Sequence, residues 1–350
     1  MPENRFLQAL NGKNDQTVPV WFMRQAGRCL PEYRAIKEKM KTYDMFRTPE
    51  VATEVTLQPM KRFDYDAAIV YADILHIPDA LGCGLSFVKG DGPKFEHVVR
   101  SSEDLKVLED RFADMEQVQS ELAFVGQTLK NVRAELSPSK ALIGFCGSPW
   151  TVASYVVEGG STKTFFTTKR LMMEKPDVFH RLMELITETT IPYLQMQVAS
   201  GAQALQLFES WGGTALSPCQ YDEFCRPYVS KILTTLSETT PMIHYVNKSA
   251  GILSNVLSIP SKGFGVDWSQ PLENVTKHPL LAGRTVQGNL DPLYLYSDKA
   301  TLSKQVHAVL DQAKKYDGGF IFNVGHGLTP DTPIDAIKHT VDLVHEYHFN

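Results

Sequence analysis

The chain has 350 residues, of which 43% are hydrophobic and 21% are charged, with 20 Pro and 23 Gly. This is ordinary globular composition, and it excludes a disordered, collagen-like or coiled-coil protein. The formal net charge of -5 provides no overall basic field, so nucleic acid is not an expected partner. An anionic ligand would have to be held by a local cluster of arginines.

Five cysteines are scattered along the chain and do not have the regular spacing of a disulfide framework. Such usage is typical of a reducing compartment. The first residues are polar where a secretory signal has its apolar run, and no apolar run approaches the ~20 residues that a membrane helix needs. We therefore expect a cytoplasmic protein with no membrane partner.

Short apolar runs recur along the whole chain and alternate with longer stretches of helical periodicity. Near-continuous apolar runs are typical of parallel strands that are buried on both faces. Eight of them are predicted strands, at residues 18–23, 67–72, 141–145, 204–208, 242–246, 264–268, 285–288 and 320–324. Eight strand–helix units without a linker predict one single-domain (β/α)8 TIM barrel over residues 1–350.

The stretches between these strands contain recognisable helix signals. The periodicity predicts long helices at 115–136 and 176–199. Thr48, Ser217 and Thr332 each precede a proline, which predicts an N-cap followed by proline at the first helical position. Residues 82–99 break the alternation, and they predict a strand pair with a Gly-rich turn at 89–93.

Active sites of such barrels lie at the C-terminal ends of the strands, so the residues after each predicted strand are candidates. Arg24 and Arg28 follow the first strand, and Asp73 follows the second. Two guanidinium groups around a glycine could converge on carboxylates or phosphates. Ser210 follows the fourth strand and His326 follows the eighth. Together these side chains predict a polar site at one rim.

Each candidate also has a purely structural explanation. The two arginines could be surface charges, and Asp73 could cap a helix. His326, between two glycines, could be a capping or packing residue. Ser210 could belong to a turn, and Tyr155 lies at helical spacing after Trp150, where core packing is the alternative. No single position decides between the two explanations, but their joint placement favours a binding site.

Several familiar cofactor and metal motifs are absent from the sequence. It contains no Walker loop, no dinucleotide-binding glycine fingerprint, no His-Glu-x-x-His motif and no Cys-x-x-Cys pair. No lysine stands clearly at a strand end as a Schiff-base candidate. A zinc site therefore has no obvious ligands in this sequence.

The motif PVWFMRQAGR at residues 19–28, followed by LPEY at 30–33, closely resembles the uroporphyrinogen decarboxylase family. Further matches follow in family order across nearly the whole chain, at 143–151, 155–160, 207–210, 266–268, 287–292 and 325–327. The resemblance implies a (β/α)8 barrel that is usually paired into a homodimer. It also implies decarboxylation of the four acetate side chains of uroporphyrinogen III to give coproporphyrinogen III and CO2, without metal or cofactor.

The resemblance assigns roles to particular positions. Asp73 matches the family's central carboxylate, which accepts hydrogen bonds from pyrrole N–H groups and favours the protonated ring. Arg24 and Arg28 match arginines that meet substrate carboxylates. The remaining positions that the resemblance implies to contact substrate are Gln25, Ala26, Gly27, Phe145, Tyr155, Ser210 and His326. The proton donor stays open, because an arginine with a pKa above ~12 is a poor general acid.

Two alternatives to a decarboxylase deserve comparison. Zinc-dependent methyltransferases that share this barrel carry a His-x-Cys pair after the fifth strand. Here His244 is followed two residues later by Val246, which argues against zinc methyl transfer. A tetrapyrrole-binding protein without activity would be expected to lack Asp73 or one of the arginines, and all three are present.

Overall fold

A curled parallel sheet forms the centre of the protein, whose computed structural model describes residues 4–14, 17–88 and 90–349. The strands are β1 (Ala67–Ile69), β2 (Leu85–Val88), β3 (Gly92–Phe95), β4 (Ala141–Gly147), β5 (Ala204–Glu209), β6 (Met242–Val246), β7 (Gly263–Val266), β8 (Thr285–Leu290) and β9 (Phe320–Val324). Seven of them pair in parallel in the order β1-β4-β5-β6-β7-β8-β9, and β2 pairs with β3 as an antiparallel hairpin.

Helices surround the sheet and connect its strands. They are α1 (Arg5–Leu10), α2 (Pro31–Lys37), α3 (Thr42–Arg47), α4 (Pro49–Arg62), α5 (His76–Pro78), α6 (Ser102–Phe112), α7 (Met115–Glu135), α8 (Pro149–Glu158), α9 (Phe166–Glu174), α10 (Pro176–Ala199), α11 (Gly212–Ala215), α12 (Pro218–Phe224), α13 (Arg226–Leu236), α14 (Leu253–Leu257), α15 (Leu272–Thr276), α16 (Lys299–Ala313) and α17 (Ile334–Glu346). None of the described helices is long and apolar enough to cross a membrane.

Residues 17–23 occupy the eighth position of the barrel, between β9 and β1, but they do not form the predicted strand. Only a single bridge joins Val20 to Phe322. Pro19 has no N–H to donate, and the Val20 N–H bonds to the side chain of Asp66 instead of a neighbouring strand. The segment still closes the barrel, because the Phe322 N–H donates to Pro19 O and the Asp66 N–H donates to Val20 O, both at 2.9 Å.

The other seven predicted barrel strands are confirmed, two with the predicted ends (β6 and β9) and five with shifted ends. The second ends at Ile69 and not at residue 72, since the Tyr71 N–H turns to the hydroxyl of Thr56 at 2.9 Å. The strand pair within 82–99 is confirmed as the β2–β3 hairpin, although residue 89 of its turn lies outside the described residues.

The helix signals are confirmed in part. The long helices at 115–136 and 176–199 are observed as α7 and α10. Ser217 caps α12 through a capping box with Gln220. Thr48 is the N-cap of α4, but its hydroxyl donates to Asp44 O and not to the helix. Thr332 is not a cap: α17 begins after Pro333, and the Thr332 hydroxyl holds a turn by donating to Thr329 O.

A chain of polar side chains crosses the interior of the barrel below the strand ends. Trp21 Nε1 donates to Gln287 Oε1 at 2.9 Å, and Gln287 Nε2 donates to Gln206 Oε1 at 3.1 Å. All three residues are buried, so these bonds satisfy groups that would otherwise be costly to remove from water. The chain links the closing segment to β8 and β5 on the far side of the barrel.

Asp66 is the residue on which barrel closure depends most directly. Its buried carboxylate accepts the Val20 N–H and contacts His345 Nε2 of α17, both at 2.9 Å. We expect Asp66→Ala to lower the free energy of unfolding by about 3 kcal/mol, because it leaves buried groups without partners. Urea denaturation measures this change.

The neighbouring Asp64 provides a matched control. Its side chain is 69% exposed and pairs with Lys140. Asp64→Ala should lower the free energy of unfolding by less than about 1 kcal/mol. Equal losses in the two variants would contradict the role of Asp66 in closure.

Candidate active site

A cleft of about 680 Å³ opens at the C-terminal ends of the barrel strands. This volume lies within the range of small-molecule sites. The loops after the closing segment, β1, β5 and β9 contribute its polar residues, and Phe87 and Pro93 of the β2–β3 hairpin form part of one wall. The barrel topology thus brings residues from distant parts of the chain to one rim.

The cleft contains two guanidinium groups without a partner. Arg24 and Arg28 both line it, and both side chains are exposed. Among the described residues, every other arginine donates at least one hydrogen bond or forms an ion pair, whereas these two do neither. A free guanidinium fork is suited to bind a planar carboxylate with two hydrogen bonds.

The backbone of Arg24 adopts an unusual conformation that places its side chain in the cleft. Its φ of 64° lies in the left-handed region, which is uncommon for a residue other than glycine. Gly327 makes room for the side chain, since a Cβ atom there would lie 2.3 Å from Cδ of Arg24. Strained backbone of this kind is concentrated at functional sites.

Asp73 is the only carboxylate among the described residues that line the cleft. Its Oδ1 accepts the Leu75 N–H at 2.9 Å, so the side chain stabilises its own loop in the manner of an Asx turn. Burial raises the pKa of Asp73 to about 6, although the Leu75 N–H and the charge of Arg24 oppose this shift. The group therefore changes charge close to physiological pH.

His76 fixes the backbone beneath Asp73. The Asp73 N–H donates to Nε2 of His76 at 2.9 Å, so this nitrogen must be unprotonated. Phe46 and Phe124 pack edge-on against the imidazole, with ring centroids 5.3 Å and 5.0 Å away. Burial lowers the pKa of His76 to about 3, which keeps the ring neutral and available as an acceptor.

Glu209 organises the loop that carries Ser210. Its Oε1 accepts the hydroxyl of Thr151 and the N–H groups of Trp211 and Gly212, and the Ser210 N–H donates to the same threonine. Burial raises the pKa of Glu209 to about 7, while these hydrogen bonds act in the opposite direction. The carboxyl group is not a cleft residue, but it holds one in place.

The structure brings most of the predicted site residues to the cleft. Those that line it are Arg24, Ala26, Arg28, Asp73, Phe145, Tyr155, Ser210 and His326. Burial and the charge of Arg24 lower the pKa of His326 to about 4, so its imidazole is neutral at physiological pH. Burial and the charge of Asp73 raise the pKa of Tyr155.

Gln25 and Gly27 are not among the lining residues. Gln25 is buried; its Oε1 accepts the Phe22 N–H at 3.0 Å, and its Nε2 donates to Ala67 O at 2.9 Å. The side chain therefore braces the arginine loop against β1. Contact of Gln25 and Gly27 with the substrate stays a prediction.

Sequence reasoning missed several residues that contribute to the site. Tyr33, Tyr71, Phe208 and Tyr245 line the cleft, and Glu209 supports it from behind. Phe208 and Tyr245 alternate with outward-facing neighbours on β5 and β6, so the strand register alone could have placed them inside the barrel. No local signal distinguishes Tyr71 from the apolar run in which it stands.

The donor set that zinc would require is not assembled around β6. His244 is fully buried, and burial lowers its pKa to about 3; its strand neighbours in register are Leu207 and Phe264. No group of three or more His, Cys, Asp or Glu in the described part of the chain could hold a metal ion. The side chains near His244 therefore do not fit a zinc site.

Comparison with known proteins agrees with the site. The model of the family described as Uroporphyrinogen decarboxylase (URO-D) matches residues 1–347. The chain belongs to this family. A protein named uroporphyrinogen decarboxylase from Acinetobacter baumannii (strain AYE) is 42% identical over 99% of this chain and 98% of its own. One of the same name from Xanthomonas axonopodis pv. citri is 40% identical, with 98% of each chain covered.

Solved structures support the barrel fold of this uroporphyrinogen decarboxylase family member. A methyltransferase from Methanosarcina mazei superposes with a TM-score of 0.77 at 17% identity, covering 98% of both chains. A B12-independent methionine synthase from Shewanella gives a TM-score of 0.56 at 9% identity. Identities this low establish a shared fold and nothing about activity. The predicted TIM-barrel fold is confirmed.

The buried Glu209 should make stability depend on pH. The pKa of Glu209 is raised from 4.5 to about 7. Between these two pH values the folded state keeps a proton on Glu209 that the unfolded state releases. The free energy of unfolding therefore falls as pH rises from 4.5 to 7. Glu209→Gln keeps the accepting oxygen and cannot titrate. We expect its unfolding free energy to fall less than that of the unaltered protein between pH 4.5 and 7, as urea denaturation at each pH would show.

Proposed function

We propose that this chain is a uroporphyrinogen decarboxylase that acts in tetrapyrrole biosynthesis. It removes the four acetate carboxyl groups of uroporphyrinogen III as CO2 and leaves methyl groups, giving coproporphyrinogen III. Family membership over residues 1–347 and the names of relatives about 40% identical over nearly the whole chain support this activity.

The distribution of charge in the cleft is the observation that carries the proposal. Among the described residues, two unpaired guanidinium groups and a single carboxylate line a space of small-molecule size. A ligand that satisfies this site must offer several carboxylates to Arg24 and Arg28, and it must offer hydrogen-bond donors or positive charge to Asp73. A porphyrinogen presents carboxylates at its periphery and pyrrole N–H groups at its centre.

The chemistry explains why protein side chains suffice. A proton adds to the pyrrole carbon that bears the acetate, and the ring becomes a cation that can accept an electron pair. The bond to the carboxylate then breaks, CO2 leaves, and the electron pair neutralises the ring as an exocyclic methylene. A second proton converts the methylene to methyl, and loss of the first proton restores the pyrrole. The substrate thus supplies the electron sink that a cofactor would otherwise provide.

Asp73 stabilises the cationic ring in this scheme. Its carboxylate accepts hydrogen bonds from pyrrole N–H groups, and its negative charge is fixed before the ring becomes positive. The Leu75 N–H and His76 hold the carboxylate and its backbone in place, so little reorganisation accompanies the reaction. Arg24 and Arg28 bind side-chain carboxylates, while Tyr155, Ser210 and His326 add neutral polar contacts.

An anaerobic assay with chemically reduced uroporphyrinogen III tests the activity, with EDTA present and products separated by carboxyl number after oxidation. We expect stepwise appearance of products with seven, six, five and four carboxyl groups. Tight binding of the substrate without any product would contradict the proposal and favour a tetrapyrrole-binding protein.

Removal of the Asp73 charge should abolish most activity. Asp73→Asn keeps the shape of the side chain but not its charge, so we expect kcat to fall about 100-fold or more while the melting temperature is retained. Asp64→Asn, at an exposed position outside the cleft lining, is the matched control and should keep normal activity. Near-normal turnover by Asp73→Asn would remove this residue from the mechanism.

The pH profile should report the same carboxylate. Since the pKa of Asp73 is about 6 and the anionic form is the active one, kcat/KM should fall about tenfold per pH unit well below pH 6. His326, with a pKa of about 4, stays neutral through most of this range. This fall in kcat/KM at acidic pH should persist in the Glu209→Gln variant. If the variant lacked it, the titrating group would be Glu209 and not Asp73.

We further propose a homodimer, as the resemblance implies, and a cytoplasmic location, as the scattered cysteines indicate. Light scattering of the purified chain in solution would report twice the mass of one chain if two copies associate.

A further inference from the structure

Two tyrosine hydroxyl groups meet in the wall of the cleft and have no part in the mechanism above. The Oη atoms of Tyr33 and Tyr71 lie 3.0 Å apart, within hydrogen-bond distance. Both residues line the cleft. Tyr33 is buried with 4% of its surface exposed, whereas Tyr71 is partly exposed.

The surrounding structure holds Tyr71 rigidly. Its N–H donates to the Thr56 hydroxyl at 2.9 Å, which anchors the backbone directly after β1. Its ring packs against Phe46 with centroids 4.6 Å apart, and edge-on against Tyr33 at 5.8 Å. A side chain fixed in this way loses little conformational freedom when a ligand arrives.

The pair has one hydrogen-bond donor to spare. Two hydroxyl groups carry two hydrogens, and the contact between them uses one. Neither hydroxyl makes another hydrogen bond within the described parts of the chain. Either hydroxyl can donate within the pair, and the arrangement in which Tyr33 donates leaves the O–H of the more exposed Tyr71 free to face the cleft. Burial and the neighbouring Tyr33 and Asp73 raise the pKa of Tyr71, which keeps this hydrogen in place.

The charge nearby indicates what this donor binds. Arg28 and Tyr71 line the same cleft, and the charge of Arg28 lowers the pKa of Tyr71 whereas that of Asp73 raises it. A group placed between the Tyr71 hydroxyl and Arg28 therefore meets an O–H donor and a positive charge. Pyrrole N–H groups are donors and do not match this environment, whereas a carboxylate does.

We propose that Tyr71, backed by Tyr33 and together with Arg28, forms a binding position for one side-chain carboxylate of the substrate. The inference rests on the proposed function, because it takes a tetrapyrrole carboxylate as the ligand. The hydrogen bond from Tyr33 polarises the Tyr71 hydroxyl and strengthens its bond to the anion. Tyr71 is then a determinant of substrate affinity and not of the decarboxylation step.

Tyr71→Phe tests this role because it removes the hydroxyl and keeps the ring that packs on Phe46. We expect KM for uroporphyrinogen to rise about tenfold, as for loss of one hydrogen bond to a charged group, with kcat within a factor of two. Tyr33→Phe should raise KM by a smaller factor. The double variant should resemble Tyr71→Phe, because the Tyr33 hydroxyl acts through that of Tyr71.

Tyr347→Phe is the matched control. It removes a hydroxyl that donates to Asp311 at 2.6 Å and does not line the cleft, so KM should be unchanged. A KM for Tyr71→Phe within twofold of the control, at unchanged melting temperature, would overturn the inference. So would a fall in kcat with unaltered KM, because that would place the hydroxyl in the chemical step.

A binding measurement separates this inference from the proposed function. Asp73→Asn should bind uroporphyrinogen without turning it over, and quenching of tryptophan fluorescence under anaerobic conditions reports its Kd. Adding Tyr71→Phe to this variant should raise Kd about tenfold. Failure of the unaltered chain to release CO2 would overturn the proposed function alone, whereas an unchanged Kd would overturn the carboxylate-binding role of Tyr71.

Discussion

The segment of residues 17–23 closes the barrel, and the geometry of the active-site cleft depends on that closure. It lies between β9 and β1 without forming a regular strand, and the carboxylate of Asp66 replaces one of the missing ladder acceptors. The loop with Arg24 and Arg28 follows directly, so the same contacts that complete the barrel bring both guanidinium groups to the side of Asp73. Stability and ligand binding thus share one set of interactions.

Side-chain acceptors hold the backbone wherever the cleft loops leave the regular sheet. Thr56 accepts the Tyr71 N–H, His76 accepts the Asp73 N–H, and Glu209 accepts two N–H groups after β5. A loop N–H without such a partner would be a buried, unsatisfied donor. These acceptors are buried, so the groups that face the substrate rest on a rigid base that solvent does not reach.

The cleft separates its functions by charge. Positive charge lies on Arg24 and Arg28 and negative charge on Asp73. In the proposed mechanism the arginines bind carboxylates and Asp73 stabilises the cationic ring. Burial keeps His326 neutral and leaves Asp73 able to titrate near physiological pH. The hydroxyl pair of Tyr33 and Tyr71 lines the same cleft as Arg28, and the proposed carboxylate position adds a neutral donor to the charged ones.

Local patterns in the sequence predict the class of fold and the charged groups of the cleft, because buried parallel strands appear as continuous apolar runs and the active site of a barrel lies after those runs. Asp73 and the two arginines could be named for this reason. The three-dimensional contacts were needed to show that 17–23 is not a strand, that Gln25 braces a loop, and that Tyr71 contacts Tyr33 in the cleft wall. One such contact, between Met23 and Asn323, joins residues 300 positions apart, and no local pattern encodes it.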